Sequence, residues 1–388
     1  MNLIRIFVVC LFSFVVQQIK CLDIPRIAFT GPVLEYISVE DYKDMKECGF
    51  THCINIYNTL ELAKLDLQRA YKVNIGVYVH TPQIVQTPTM AAAYLKNVKG
   101  FSGYFIADEP SYADLYHIKE KINAIAKVDR KHACCINLHP YYNANQFRNI
   151  GSQTYQQYLE ASANLGMPQL SFDYYPITYS GLRDGWFGNL SMVRNICRKK
   201  QKCFWGFVLT VPHGDYPKPT LATLRLQSYV NLVYGAKALV YFTYMTFYDK
   251  NYDFHDAPLD IEGKKTKTYY LVRSLNRELK SISKLFSGAV ITNVGHLVKV
   301  PSGEQKAPCP QQLSRLVVAG KKGAVVSQFL CGRNKYLAVV NKDYNDSLSL
   351  SIKAKTKNIY HIKKNLSQEK IVGTYIIKPG DIELFKLN

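Results

Sequence analysis

Short runs of apolar, β-branched and aromatic residues recur along the first two thirds of the chain, with longer amphipathic stretches between them. The runs are Arg26–Thr30, Thr51–Tyr57, Asn74–Val79, Phe101–Ala107, His132–Leu138, Gln169–Tyr174, Cys203–Thr210 and Ala238–Tyr244. Successive starts lie 23 to 37 residues apart, which leaves room for a helix after each strand. Ser38-x-x-Asp41, Asn58-x-x-Glu61 and Ser111-x-x-Asp114 have the form of capping boxes, with an acid near the positive end of the helix. Gly49 is the expected stop after Cys48. Leu115, Ile118, Ile122 and Ile125 repeat with helical period, as do Leu271, Leu275, Leu279, Ile282 and Leu285. The strands are near-continuous apolar runs, which suits a parallel sheet covered by helices on its outer side. Eight β-then-α units predict an α/β fold, a (β/α)8 barrel over residues 22–288. A doubly wound open sheet is the alternative. It is disfavoured because Phe29-Thr30-Gly31-Pro32 stands where a Gly-rich phosphate loop would follow the first strand.

After about Ser287 the period shortens. Ser347-Leu348-Ser349-Leu350-Ser351-Ile352 alternates strictly, as a half-buried antiparallel strand does. Leu316–Ala319, Ala324–Leu330, Tyr336–Val340, Ile359–Ile362, Gly373–Ile377 and Ile382–Leu387 are further short strands. Turns such as Gly332-Arg333-Asn334 and Lys378-Pro379-Gly380-Asp381 separate them. Residues 289–388 are therefore expected to form a small all-β sandwich.

The N-terminus changes the picture by setting a destination. Arg5 precedes an apolar stretch from Ile6 to Val16, followed by Gln17, Gln18 and Lys20. This layout predicts a secretory signal over residues 1–21, cut near Cys21, and an extracellular protein with no membrane span once matured. A membrane anchor is the competing reading, and the shortness of the stretch argues against it. The 388 residues carry 49 Lys+Arg against 29 Asp+Glu, a formal charge of +20 that falls to +18 without the signal. Residues 289–388 hold 16 basic and 6 acidic side chains, so the sandwich is the more basic part by density. Ten cysteines less Cys10 and Cys21 leave an even number, as bridges in an oxidising compartment require. Cys48/Cys53, Cys197/Cys203 and Cys309/Cys331 are the expected pairs. Adjacent Cys134 and Cys135 should face opposite sides of a strand. Sequons at Asn189, Asn345 and Asn365 are glycosylation candidates. No CxxC or HExxH occurs, and no pattern names a metal or a cofactor.

Barrel chemistry sits at the C-terminal strand ends, so those positions carry the candidates. The fourth strand ends in Asp108-Glu109-Pro110 and the sixth in Asp173-Tyr174-Tyr175-Pro176. The fifth offers Asn137, His139, Tyr141 and Tyr142; the seventh Trp205 and then His213; the eighth Tyr241, Tyr244 and Tyr248. Carboxylates among aromatic faces suit glycosidic cleavage. One carboxyl must stay protonated for the leaving oxygen while a second supplies a base, a nucleophile or negative charge. Crowding Asp108, Glu109 and Asp173 would separate their pKa values and hence their roles. Asn137, His139, Tyr175, Trp205 and Tyr244 are the candidate ligand contacts. The bland readings stand beside these. Asp108 and Glu109 directly precede a helix and would serve its dipole, Asp173 would be strand-end structure, and Trp205 would pack the barrel. His139 and His213 have no motif around them.

Gly103-Tyr104-Phe105-Ile106-Ala107-Asp108-Glu109-Pro110-Ser111 resembles the fourth-strand segment of β-galactosidase-like barrel glycoside hydrolases and their uncharacterised relatives. Ser171–Pro176, Phe204–Val208, Tyr234–Lys237 and Tyr241–Tyr244 fit the same pattern, and Lys378–Phe385 looks like the last strand of their C-terminal sandwich. The resemblance implies Glu109 as the acid/base. It breaks at the seventh strand, where Leu209-Thr210-Val211 stands in place of the nucleophilic Glu of retaining members, and at Met245, where a sugar-stacking Trp is expected. Other barrel hydrolases pair carboxylates on strands four and six, or use an Asp-Glu pair on strand four with substrate assistance. Asp108, Glu109 and Asp173 satisfy either plan.

These residues are compatible with two functions. One is a secreted glycoside hydrolase with Glu109 as general acid and Asp173 or Asp108 as partner. The other is a catalytically lapsed barrel that binds carbohydrate, acidic glycans or acidic matrix included, through its basic charge. Nucleic-acid binding is disfavoured because the lysines are scattered and no finger, RNP or helix-turn-helix pattern occurs.

Overall fold

The computed structural model describes residues 23–32, 37–143, 151–152 and 154–387. The predicted signal segment, with Cys10 and Cys21, lies outside the described residues.

Strands β1 (Arg26–Phe29), β2 (His52–Ile56), β3 (Gly76–His80), β4 (Phe101–Asp108), β5 (Ala133–Asn137) and β6 (Gln169–Phe172) succeed one another around a parallel sheet. A short hairpin intervenes, β7 (Ile177–Thr178) with β8 (Gly181–Leu182). Strands β9 (Cys203–Leu209) and β10 (Ala238–Phe242) then return the sheet to β1. Closure comes between β5 and β6, where the Leu138 amide donates to the Ser171 carbonyl at 2.8 Å. All eight expected strands are present, and the sheet is a barrel.

Helices α1 (Val39–Glu47), α2 (Leu60–Lys72), α3 (Pro82–Gln86), α4 (Pro88–Leu95), α5 (Asp114–Val128), α6 (Tyr155–Ala163), α7 (Gly185–Lys199), α8 (Leu221–Tyr234) and α9 (Lys267–Ser287) accompany the strands. Ser38 and Asp41 close a capping box at α1, and Ser111 with Asp114 makes the same reciprocal bonds before α5. At α2 the expected cap moves by one residue. Thr59, not Asn58, accepts from the Leu62 amide at 3.2 Å. Alternating strand residues divide the core. Ile27, Phe29, Ile54, Phe105, Phe207, Leu209 and Val240 fill the barrel interior, while Ala28, Cys53, Val77, Tyr104 and Val208 face the helices. Cys134 lies in the helical layer and Cys135 in the interior.

The chain then forms β11 (Ala289–Leu297), β12 (Leu313–Ala319), β13 (Ala324–Cys331), β14 (Asn334–Asn341) and β15 (Leu348–Ala354). It ends with β16 (Ile359–Ile362), β17 (Gln368–Lys370), β18 (Thr374–Ile377) and β19 (Ile382–Leu387). A six-stranded sheet, β11-β13-β14-β19-β16-β17, faces a three-stranded one, β12-β15-β18. Val326, Leu337, Val339, Leu350, Ile352 and Phe385 fill the space between them. The other face of the larger sheet is also buried. Val325, Phe329, Ala338, Val340 and Leu384 join the core of the barrel's helical layer, and α8 packs on β11, β13 and β14. Helix α8 is consequently buried along almost its whole length, covered on one side by strands of the barrel and on the other by the sandwich. Gly380 lets the sandwich approach it. Its φ is +65°, and a Cβ there would sit 2.1 Å from the Ala222 carbonyl oxygen.

Among the described residues the expected disulfides are not formed. Cys48, Cys53, Cys197, Cys203 and Cys309 are thiols, as are Cys134 and Cys135. Nearness in sequence misled because each thiol is turned elsewhere: Cys48 donates to the Tyr269 carbonyl at 3.6 Å, and Cys53 is fully buried in β2.

Charges lock the same interface. Arg225 on α8 pairs with Glu278 on α9, its Nε donating at 3.0 Å, and Tyr229 donates to that carboxylate at 2.9 Å. Lys364 and Asp381, both from the sandwich, complete the cluster with Nζ–Oε2 and Nζ–Oδ1 distances of 2.6 and 2.7 Å. Burial pushes the Glu278 carboxyl up, but hydrogen bonds from Arg225 and Lys364 outweigh it and hold the pKa below the usual glutamate value. The stability this contributes is present above the unfolded-state pKa and is lost as pH falls through the folded one. Glu278→Ala leaves Arg225 and Lys364 sharing Asp381 alone. We expect a loss of about 2–4 kcal/mol at pH 7, shrinking on acidification, in urea denaturation at several pH values. An unchanged midpoint at pH 7 would refute the locking role.

Candidate active site

A cavity of about 1030 Å³ opens at the C-terminal ends of the barrel strands. Asp108 and Glu109 come from the end of β4, His139 from just beyond β5, Asp173 and Tyr175 from just beyond β6. His213 and Tyr216 come after β9, and Phe242 and Met245 close the ring at β10.

Two neighbouring strand residues ordinarily face opposite sides. Here both acids reach the cavity because the backbone turns at Glu109, whose φ is +44°. That left-handed conformation is unfavourable for a residue with a Cβ. It is held from several sides. The Glu109 amide donates to the Asn137 carbonyl at 2.9 Å, Tyr158 donates to the carbonyl of Pro110 at 2.8 Å, and the Ser111–Asp114 box fixes the entry to α5. Glu109 Oε1 lies 3.4 Å from His139 Nδ1.

Asp173 sits deeper than Asp108. Asp108 is open to the cavity yet ringed by protein. Desolvation raises its pKa to about 6, the Asn137 amide opposing and Glu109 adding to the rise. Asp173 is pushed well above the usual range, first by burial and then by the charges of Glu109 and Asp108. Tyr175 donates to its Oδ2 at 3.3 Å, while Oδ1 is buried with no hydrogen-bond partner. Asn137 is the link: its Nδ2 donates to Asp108 Oδ1 at 3.1 Å, and Ser171 Oγ donates to its Oδ1 at 3.4 Å. It is buried behind Asp108, holds that carboxylate, and does not line the cavity.

Of the other sequence candidates, His139 and Tyr175 line the cavity. Trp205 does not. It fills the barrel interior edge-on to Tyr78, ring centroids 5.4 Å apart. Tyr244 turns away from the mouth into the helical layer, fully buried against Phe50 with ring centroids 5.3 Å apart. The Asn189 side chain is not exposed in the folded chain. It is buried in α7, donates to the Tyr155 hydroxyl at 2.9 Å and accepts from the Tyr141 amide at 2.8 Å. Asn345 and Asn365 are exposed.

His213, which sequence alone left unassigned, is a cavity residue. Burial lowers its pKa, its Nδ1 meets the Val211 carbonyl at 3.0 Å, and Tyr216 and Phe254 pack on its ring. Because a carbonyl only accepts, Nδ1 carries the proton and Nε2 the lone pair in the neutral ring. Phe247, Tyr252 and Phe254 were missed, since the connection between β10 and α9 has no periodicity. Its aromatic density from Tyr244 to Phe254 was the available signal. At the end of β9 Leu209 points into the barrel and Thr210 and Val211 are buried, so no carboxylate faces Glu109 from there. Among the described residues no cluster of three His, Cys, Asp or Glu side chains has the arrangement of a metal site, and no helix is long and apolar enough to cross a membrane.

No family model matches the chain, and no curated protein matches its sequence. Solved structures do match its fold. A β-galactosidase from Bacillus circulans sp. alkalophilus aligns over 94% of this chain and 99% of that one, with TM-score 0.65 and 9% identity. A family 39 glycoside hydrolase from Bacteroides cellulosilyticus WH2 aligns over 94% and 81%, with TM-score 0.56 and 11% identity. The match to the β-galactosidase of the psychrophilic Marinomonas ef1 covers 68% of this chain and only 60% of that one, with TM-score 0.53 and 10% identity. The chain thus has the barrel-plus-sandwich fold of glycoside hydrolases.

Two measurements test this geometry. At φ +44° glycine carries no Cβ penalty, so Glu109→Gly should be more stable than Glu109→Ala by about 1 kcal/mol in chemical denaturation. Equal stabilities would show that the backbone there is unstrained. For Asp173 the raised folded pKa means that its contribution is fully present below the unfolded pKa and is lost as pH rises through the folded one. Asp173→Asn removes that titration, so its melting temperature should exceed the parent's at pH 8, by less or not at all at pH 5. A variant less stable than the parent at pH 8 would contradict the assignment.

Proposed function

We propose that the protein is a secreted glycoside hydrolase that cleaves O-glycosidic bonds with Glu109 as general acid and Asp108 as its charged partner. The observation that carries this reading is the left-handed backbone at Glu109, which holds its carboxyl in the cavity beside His139 and next to Asp108. Such a conformation is unfavourable and is held here by the surrounding hydrogen bonds, and placed at a cavity it supports a use for the side chain.

Glu109 delivers its proton to the glycosidic oxygen as the carbon–oxygen bond breaks. The sugar ring gains positive charge, and a carboxylate beneath it offsets that charge. Of the two aspartates, Asp108 has its pKa raised to about 6, while burial, with the charges of Glu109 and Asp108 adding, pushes that of Asp173 well above the usual range; Asp108 is taken as the charged one. A water molecule then bonds to the anomeric carbon and its proton restores Glu109. With Leu209 at the end of β9, no step runs through a nucleophile at that position. Secretion rests on the apolar segment after Arg5, since the thiols lend it no support. The net positive charge favours carbohydrate partners that carry negative groups.

The test is a hydrolysis screen over aryl glycosides and natural polysaccharides, with Glu109→Gln as the matched control. Turnover should fall at least 100-fold in the variant. In the parent, kcat/KM should decline on acidification through about pH 6, as Asp108 gains a proton. Silence across the panel, with retained carbohydrate binding, would instead favour the lapsed, binding-only barrel that Leu209 suggests.

A further inference from the structure

The cavity has two chemically unlike halves. The ends of β4, β5 and β6 supply Asp108, Glu109, His139 and Asp173. Across the ring, the ends of β1, β2 and β10 and the connection after β10 supply Ile56, Met245, Phe247, Tyr248, Phe254 and Ile261. Three polar side chains in this second half are engaged with nearby backbone. Thr30 Oγ1 donates to the Phe29 carbonyl at 2.7 Å, Thr246 Oγ1 accepts from the Ala257 amide at 3.2 Å, and Asp249 accepts from the Asn251 amide at 2.7 Å.

A pyranose needs hydrogen-bond partners around its rim and a flat face beneath it. Aromatic rings supply the second, but branched aliphatic side chains supply neither. Ile56 and Ile261 are 54% and 57% exposed at the rim, and Tyr248 is 83% exposed. Lone exposed apolar residues need no explanation, but several lining one wall of a cavity mark a contact surface for an apolar group. Resting on the hydrolase reading above, we infer that the substrate is an amphiphilic glycoside. Its sugar lies over Asp108 and Asp173, and its apolar aglycone lies against the wall formed by Ile56, Met245, Phe247 and Ile261. Glu109 then serves the oxygen between the two parts, and the aglycone is the leaving group.

The test separates binding from turnover. Affinities of methyl and n-octyl glycosides of a panel of hexoses are measured by calorimetry on the Glu109→Gln protein, below the micellar concentration. For at least one sugar the octyl compound should bind more than tenfold tighter than the methyl one, and Ile261→Lys should remove that advantage with the melting temperature unchanged. Replacing octyl by 2-naphthyl tells a chain-shaped aglycone from a fused-ring one. Affinities within twofold for methyl and octyl, no detectable octyl binding, or octanol competing as well as octyl glycosides would each overturn the inference. Failure of the hydrolase reading shows differently: the parent protein would turn over nothing while the sugar-dependent octyl preference persists.

Discussion

The mouth of the barrel depends on how β5 meets β6. Consecutive parallel strands elsewhere in the ring are joined by ladders of backbone hydrogen bonds, but here the sheet closes at Leu138–Ser171 and side chains finish the seam. Gln169 Nε2 reaches the Cys134 carbonyl at 3.0 Å, and Ser171 reaches Asn137, which in turn holds Asp108. The polar chain that closes the barrel is therefore also the chain that sets the carboxylates. Buried polar networks of this kind are stabilising only when satisfied throughout. The unpartnered Oδ1 of Asp173 and the left-handed Glu109 show where this one is not relaxed. Both departures fall at the cavity, as expected where a fold yields local stability to a site.

Electrostatics then distinguish acids of similar chemistry. Glu109 stands at the surface of the cavity with a histidine beside it, Asp108 in a protein-lined recess with an amide donor, and Asp173 deepest, with a tyrosine donor. Burial is the largest contribution at each aspartate, and at Asp173 the charges of Glu109 and Asp108 add to it.

Much of the fold was legible because burial on both faces of a parallel strand leaves a near-continuous apolar run, which the barrel strands carry with few polar interruptions. Strand β11 was missed. A bulge between Ile291 and Asn293 breaks its alternation, and Asn293, Gly295 and His296 interrupt its apolar character. The strand-end rule found Asp108, Glu109 and Asp173, since it needs only the position where a run stops. It could not tell which way a side chain turns after the run. Tyr244 and Trp205 were chosen by type and place but point into the two apolar layers, while Phe247 and Phe254 sit in an aperiodic connection and point into the cavity. Asn189 satisfied a three-residue pattern that carries no information on burial. The cysteine pairs failed because spacing along the chain does not say which way a thiol turns: Cys197 lies beside Cys203 yet donates to its carbonyl at 3.2 Å.

Helix α8 has no water-facing side. In a free-standing barrel the outer stripe of each helix is polar, which is what allows such barrels to exist without a second layer. Here that stripe is apolar and the larger sheet of the sandwich covers it, pinned by Arg225, Glu278, Lys364 and Asp381. The sandwich is thus part of the barrel's wall. Inheritance of the two parts is coupled in consequence: a recombination event that transplanted residues up to Ser287 onto another partner would carry along a bare apolar helix, and only a graft that brought its own matching sheet would yield a soluble chain.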